Sequence, residues 1–123
     1  DVIIAGEDFL KKNPEAVKAF LRAFTKGVKD VIADPKAAVA TVKERDGIVN
    51  ADLELRRLKL ALDQTVLTPD AKAEGFGDVN AARLALMASQ VSDAFATKER
   101  VVATSVWNAG FLPSVTDRSI FKK

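Results

Sequence analysis

Cysteine is absent from the 123 residues, and so is histidine. The first absence excludes disulfides and thiol chemistry. The second removes the commonest general base and the commonest metal ligand. Methionine occurs once, at Met87. Asp1 is therefore not a translation start, and the chain is expected to be processed, cut or truncated. No apolar run reaches the roughly 20 residues of a membrane-spanning helix. No signal peptide is present, and a truncated chain is not expected to show one. Charge of one sign is also scarce: the net charge is +2, too small to argue for nucleic acid. There is no internal repeat and no low-complexity stretch. What is there is 48% hydrophobic and 29% charged, the composition of an ordinary soluble globular protein. The length suits a single unit over residues 1–123, with enough chain to bury a core.

One stretch organises the rest, NPEAVKAFLRAFTKGVKDVIADP from Asn13 to Pro35. It reads as one long helix with both ends marked. Asn13 is placed to cap the first turn, and Pro14 sits at the first helical position, where its missing N–H costs nothing. Glu15 adds negative charge at the positive end of the helix dipole. Asp34-Pro35 is the stop, because the residue before a proline leaves the α region. Val17, Phe20, Leu21, Phe24, Val28, Val31 and Ile32 recur at spacings of three and four, forming one apolar stripe. About 20 residues at about 1.5 Å each give a rod of about 30 Å.

Before this helix, Val2-Ile3-Ile4-Ala5 is a short β-branched run closed by Gly6. It reads as a buried strand of the parallel-sheet kind. No partner strand follows, and a lone strand cannot satisfy its own backbone, so the run hints at a sheet upstream. Glu7 to Lys12 reads as a short helical turn. Pro35 opens a second helix, Lys36 to about Arg45, with Val39 and Val42 as contacts and Asp46-Gly47 as its end. Asn50 is placed to cap a third, Ala51 to about Val66. Leu55, Leu58, Leu62 and Val66 lie on one of its sides, with Leu53, Leu60 and Leu67 roughly opposite. A helix apolar on two sides is covered on two sides. Thr68-Pro69-Asp70 starts a short turn stopping at Gly75, and Gly75-Phe76-Gly77 reads as a flexible connection. Asn80 is placed to cap a fourth main helix, to about Ala96. Val79 and Leu84 have the spacing of a hydrophobic staple, and Leu84, Met87, Val91, Ala94 and Phe95 form the stripe. Thr104 is placed to cap a last turn, Ser105 to Ala109. Gly110 would supply a left-handed stop, with Phe111-Leu112-Pro113 leaving as an anchored tail. The fold class is thus mainly α, with about four main helices and one N-terminal strand.

Few residues group as chemistry would require. Lys18, Arg22, Lys26 and Lys29 share one helix face and could hold phosphate or anionic lipid. Glu15 and Asp30 flank them and no aromatics interleave, so a solvated face is the expectation. Gly75-Phe76-Gly77-Asp78 resembles a phosphate loop only in composition, since no strand precedes it. Asp52–Arg56 and Glu54–Arg57 have the spacing of surface ion pairs. Nothing forms an acid–base pair, an activated nucleophile or an all-oxygen metal loop, so no catalytic residue, metal site or cofactor is expected. Trp107 and Phe111 could stack on a ligand, but the capped turn and Pro113 argue that they pin the tail. Glu7 directly follows the expected strand, and ligands bind at the carboxyl ends of strands in open parallel sheets. It is the candidate ligand-binding residue, set against a solvated loop carboxylate.

Taken in order, these phrases resemble a known family. VIIAGEDFLKKNPEAVKAFLRAFTKGVKDVIADPKAAV, then LTPDAKAEGFGDVNAARLALMA, then SVWNAGFLPSV resemble the solute-binding proteins of ABC importers for nitrate, sulfonates, taurine and thiamine-type pyrimidines. The family's Asn-x-x-Phe-Leu-Pro ending would correspond to Asn108, Phe111, Leu112 and Pro113. The resemblance implies a parent α/β fold of two lobes, periplasmic-binding-protein type II, with this chain as its C-terminal part. It also implies an extracytoplasmic location, a small organic anion or heterocycle as solute, and an ABC permease as partner. Most ligand contacts would lie upstream. The fungal pyrimidine-precursor synthases share that fold but need histidine and cysteine chemistry, so an enzyme is not expected. The alternative function is a free-standing helical protein-interaction module. Separated from its sheet, the chain is expected to self-associate, because the strand edge and the second leucine stripe lack cover.

Overall fold

A computed structural model describes residues 2–121. Among these residues all regular structure is helical. Helix α1 spans Glu7–Lys12, α2 Pro14–Ala33, α3 Pro35–Arg45 and α4 Ala51–Ala61, the last continuing as a wider π turn over Leu62–Val66. Then come α5 (Pro69–Glu74), α6 (Ala81–Ala94), α7 (Ala103–Val106) and a single 3₁₀ turn at Ala109–Phe111. The first four helices pack mainly on their sequence neighbours, α1 on α2, α2 on α3 and α3 on α4. The 3₁₀ turn returns to α2, and α6 packs on α7.

The long helix forms as its end signals require. Pro14 occupies its first turn, and the chain leaves at Asp34 with φ −141°. Asp34 then caps the next helix, its Oδ1 accepting from Ala37 N at 3.0 Å. Asn50, Thr68 and Asn80 cap as expected, accepting from Leu53 N at 3.0 Å, Ala71 N at 3.2 Å and Ala82 N at 2.9 Å. Val79 and Leu84, the expected staple pair, are both half-buried.

The end of α6 is built from backbone bonds. Ala96 N bonds to Asp93 O and Thr97 N to Ser92 O, the paired bonds of a Schellman stop. Ala96 has φ +45° there, in the left-handed region usually given to glycine.

Several expectations are corrected. The N-terminal strand does not form: residues 2–5 make no backbone hydrogen bond among the described residues, and Val2 and Ile4 are 69% and 87% exposed. A strand needs a neighbouring backbone, and no neighbour is there. Asn13 makes no side-chain cap. Thr104 lies inside α7, which begins uncapped at Ala103. Gly47 and Gly110 do not use a left-handed stop, because positive φ among the described glycines is confined to Gly75 and Gly77. The carboxylate of Asp46 instead accepts from Ile48 N, and the side-chain oxygen of Asn108 from Gly110 N. Glu54 and Arg57 pair at 2.7 Å; Asp52 and Arg56 form no pair among the described residues.

The apolar stripe of α6 is also misplaced by its periodicity. Met87, Val91 and Phe95 lie outward, while Ala88 and Ser92 are buried. The segment after the helix explains this. Val101 N donates to Ser92 Oγ, which itself donates to Ala88 O. Small side chains let that segment cross closely, so the small ridge is covered and the large one is left open.

The core is thin. Val39, Leu62, Ala88 and Ile120 are its buried apolar residues, joined by Thr25, Ser92 and Arg118. The accessible surface is 9423 Å², against about 6,400 Å² for a compact monomer of this mass. Of the two leucine stripes on α4, the one with Leu55, Leu58 and Leu62 is covered; Leu53 and Leu60 are exposed.

The caps give a direct test. Asn50→Ala is expected to destabilise by about 1 kcal/mol, while Asn13→Ala stays near wild type. Ala96→Gly is expected to stabilise by about 1 kcal/mol, relieving a left-handed residue. Urea denaturation midpoints check all three.

Candidate functional site

Glu7 opens α1 with its side chain 85% exposed, paired to Lys11 at 3.2 Å. The strand that was to present it does not form, and no second group converges on it among the described residues. Gly6 before it provides no side-chain cap.

The basic residues of α2 are partly paired along their own helix. Lys18 meets Glu15 at 2.9 Å and Lys26 meets Asp30 at 2.7 Å. The hydrogen bond from Lys18 holds the Glu15 carboxyl below its usual range, with the charge of Lys18 and, to a lesser degree, that of Arg22 adding to it. A carboxyl lowered in this way contributes stability above its unfolded pKa and loses it as pH falls through the folded value. Full exposure keeps the contribution small. Phe20 and Phe24 sit on another side of α2, with ring centroids 6.3 Å apart and both rings exposed.

The densest polar cluster lies elsewhere, between residues 75–79 and the tail. Arg118 is 4% exposed. Its Nε donates to Pro113 O at 2.9 Å, and its two terminal nitrogens donate to Phe76 O at 3.1 Å and Asp78 Oδ2 at 3.2 Å. The backbone closes the same link, with Phe76 N donating to Arg118 O at 2.9 Å. Asp78 Oδ1 accepts from Val79 N at 2.9 Å and from Trp107 Nε1 at 3.3 Å. Gly75 lies against the arginine at φ +82°, and a Cβ placed there would come within 3.1 Å of Arg118. Residues 75–77 are therefore tied down, where the sequence suggested a flexible connection.

Chemically, this is a clasp. Every acceptor around the guanidinium belongs to the protein, and among the described residues no buried side-chain nitrogen or oxygen lacks a partner. Trp107 and Phe111 are half-buried, in keeping with anchoring the tail. Sequence reasoning missed Arg118 and Asp78 because they stand 40 residues apart, beyond any helical spacing. The one available signal was an aspartate directly after a glycine pair.

Two shallow depressions mark the surface. One, of about 330 Å³, lies between α3 and α4 over Val39, Ala40 and Leu55, with Lys36, Lys43 and Asp52 among the side chains around it. The other, of about 280 Å³, lies beside the basic face of α2. No group of three acidic residues among the described ones could hold a metal ion, and no described helix is long and apolar enough to cross a membrane.

Comparison with known proteins places part of the chain beside a known family. Residues 1–38 fit the family model described as NMT1/THI5 like. The match takes in Val2–Ala5, Glu7, all of α2 and the start of α3. It covers under a third of the 123 residues, and it supports a solute-binding role in ABC transport in general terms. No curated protein and no solved structure matches the chain.

The clasp is testable. Asp78→Ala leaves a buried guanidinium without its counter-charge, and is expected to destabilise by about 3–5 kcal/mol. Gly75→Ala should also destabilise, through its backbone angle and the contact with Arg118. Thermal melts of both variants, beside an exposed-pair control such as Glu7→Gln that shifts little, check the assignment.

Proposed function

We propose that the chain is the C-terminal part of an extracytoplasmic solute-binding protein. In this reading it helps capture a small organic anion or heterocycle and deliver it to an ABC permease. The observation that carries the reading is the match over residues 1–38, which includes the first of the phrases that carry the sequence resemblance. A physical feature of that segment agrees with it. Val2, Ile3, Ile4, Phe9, Phe20 and Phe24 are all exposed, and at roughly 1.5–3 kcal/mol per large apolar side chain so much uncovered surface is costly. Such a surface suits a piece of a larger α/β body. The excess of about 3,000 Å² over a compact monomer exceeds the roughly 1,000–2,500 Å² that each partner gives to most obligate interfaces.

In this reading Glu7 faces the solute in the assembled protein, and the chain itself performs no catalysis. The isolated 123-residue chain should not bind the transported organic anion or heterocycle. It should self-associate through its uncovered apolar faces.

Two measurements test this. The encoding gene is expected to carry a leader and roughly 200 further residues upstream, the length of a two-lobed protein. The longer product should bind a small organic anion in calorimetry, more weakly as Glu7→Gln. A gene that begins at or near Asp1, or binding of such an organic solute by the 123-residue chain alone, would overturn the proposal in favour of a helical interaction module. Separately, sedimentation of the isolated chain should show association, reduced by Leu53→Lys with Leu60→Lys; a monomer at high concentration contradicts the uncovered-surface argument.

A further inference from the structure

The basic face of α2 is not open along its length. The tail folds beside it, so that Pro113 and Asp117 line the same cleft of about 280 Å³ as Arg22, Thr25, Lys26 and Lys29. Thr25 is only 6% exposed, and Lys29 is half-buried. Sequence periodicity places the four cations on one face but cannot show that a distant turn makes that face concave.

The charges in the cleft do not cancel. Three cations line it against one carboxylate. Lys26 is taken up by Asp30 at 2.7 Å. Asp117 accepts from the neutral hydroxyl of its neighbour Ser114 at 2.8 Å and keeps its negative charge, which leaves the cations in the majority. Arg22 and Lys29 form no ion pair among the described residues. They stand two helical turns apart, about 10 Å along the axis, with Thr25 between them on the same side. Both side chains line the same depression beside Thr25, where one small anion can meet them. Arg22 is exposed, but Lys29 is half-buried; a half-buried cation without a partner is unfavourable, and an anion offsets that cost. Arginine supplies a planar fork that fits two oxygens of a phosphate group, and lysine adds a point charge. The volume of about 280 Å³ falls below the range of drug-sized ligand sites, so the depression has room for a phosphate group and not for a full dinucleotide.

We propose that Arg22 and Lys29, with Thr25 between them and the Pro113–Asp117 turn beside them, form a binding site for a phosphate group. The site uses neither Glu7 nor the Arg118 clasp, and it stands independently of the solute-binding reading. The phosphate can come from a free ion or small ester, or from a lipid headgroup; the chemistry at Arg22 and Lys29 is the same.

The test titrates inorganic phosphate into the 123-residue chain and follows amide shifts by NMR. Saturable shifts at Thr25 and Lys29 are expected, with a Kd of about 1 mM or tighter. Arg22→Gln and Lys29→Gln should each weaken binding about tenfold, the loss of one charge-assisted hydrogen bond. Lys11→Gln removes the same charge elsewhere and should leave binding unchanged. Helical circular dichroism of each variant confirms that the fold persists. A second arm uses vesicles of phosphatidic acid in phosphatidylcholine: co-sedimentation that Arg22→Gln abolishes assigns the phosphate to a lipid surface, and its absence beside saturable phosphate binding assigns it to a soluble ligand. No saturable response to either probe, or an equal loss in Lys11→Gln, overturns the proposal.

Discussion

The guanidinium of Arg118 joins two parts of the chain that helix packing alone would leave apart. It reaches Pro113 O, Phe76 O and Asp78 at once, while Phe76 N bonds back to its carbonyl. Closing a loop of this length costs about 3 kcal/mol of chain entropy. A buried charge bonded on several sides, with Trp107 holding the same aspartate, is strong enough to offset that. Elsewhere α1 to α4 rest on their sequence neighbours, where closure costs little. The order of the second half of the molecule therefore depends on one charged side chain near its end.

That dependence has consequences on both sides of the tail. Towards residues 75–79, it fixes two glycines at φ +82° that would otherwise be loose. Towards α2, it brings Pro113 and Asp117 beside a row of cations. The same turn that seats Arg118, with Ser114 bonded to Asp117, thus makes a plain basic face into a cleft.

The thin core belongs with the family match. Residues 1–38 carry both the NMT1/THI5-like match and a run of exposed apolar side chains. A segment rich in Val, Ile and Phe leaves much of its own apolar surface uncovered. The extended stretch at Val2–Ala5 makes the point most sharply: its composition suits a strand, but its backbone bonds to nothing described.

Much of the helical layout was legible in the sequence, because its signals are local. Pro14, Asp34-Pro35, Asn50, Thr68 and Asn80 act within one turn of where they stand, and each helix boundary they imply is present. The stripe on α4 was legible too, since a period of 3.6 is a property of the helix itself. What only the tertiary structure decided is which face is covered. On α6 the covered ridge is Ala88 and Ser92, because residue 101 crosses there, and no pattern within residues 81–94 reports that crossing. The strand at Val2–Ala5 failed for a related reason: a strand depends on a neighbour, and composition cannot supply one. Glu7 lost its expected setting with it. Arg118, Asp78 and the cleft at Arg22 and Lys29 depend on contacts between residues far apart in the chain, and local sequence rules have no reach over such distances.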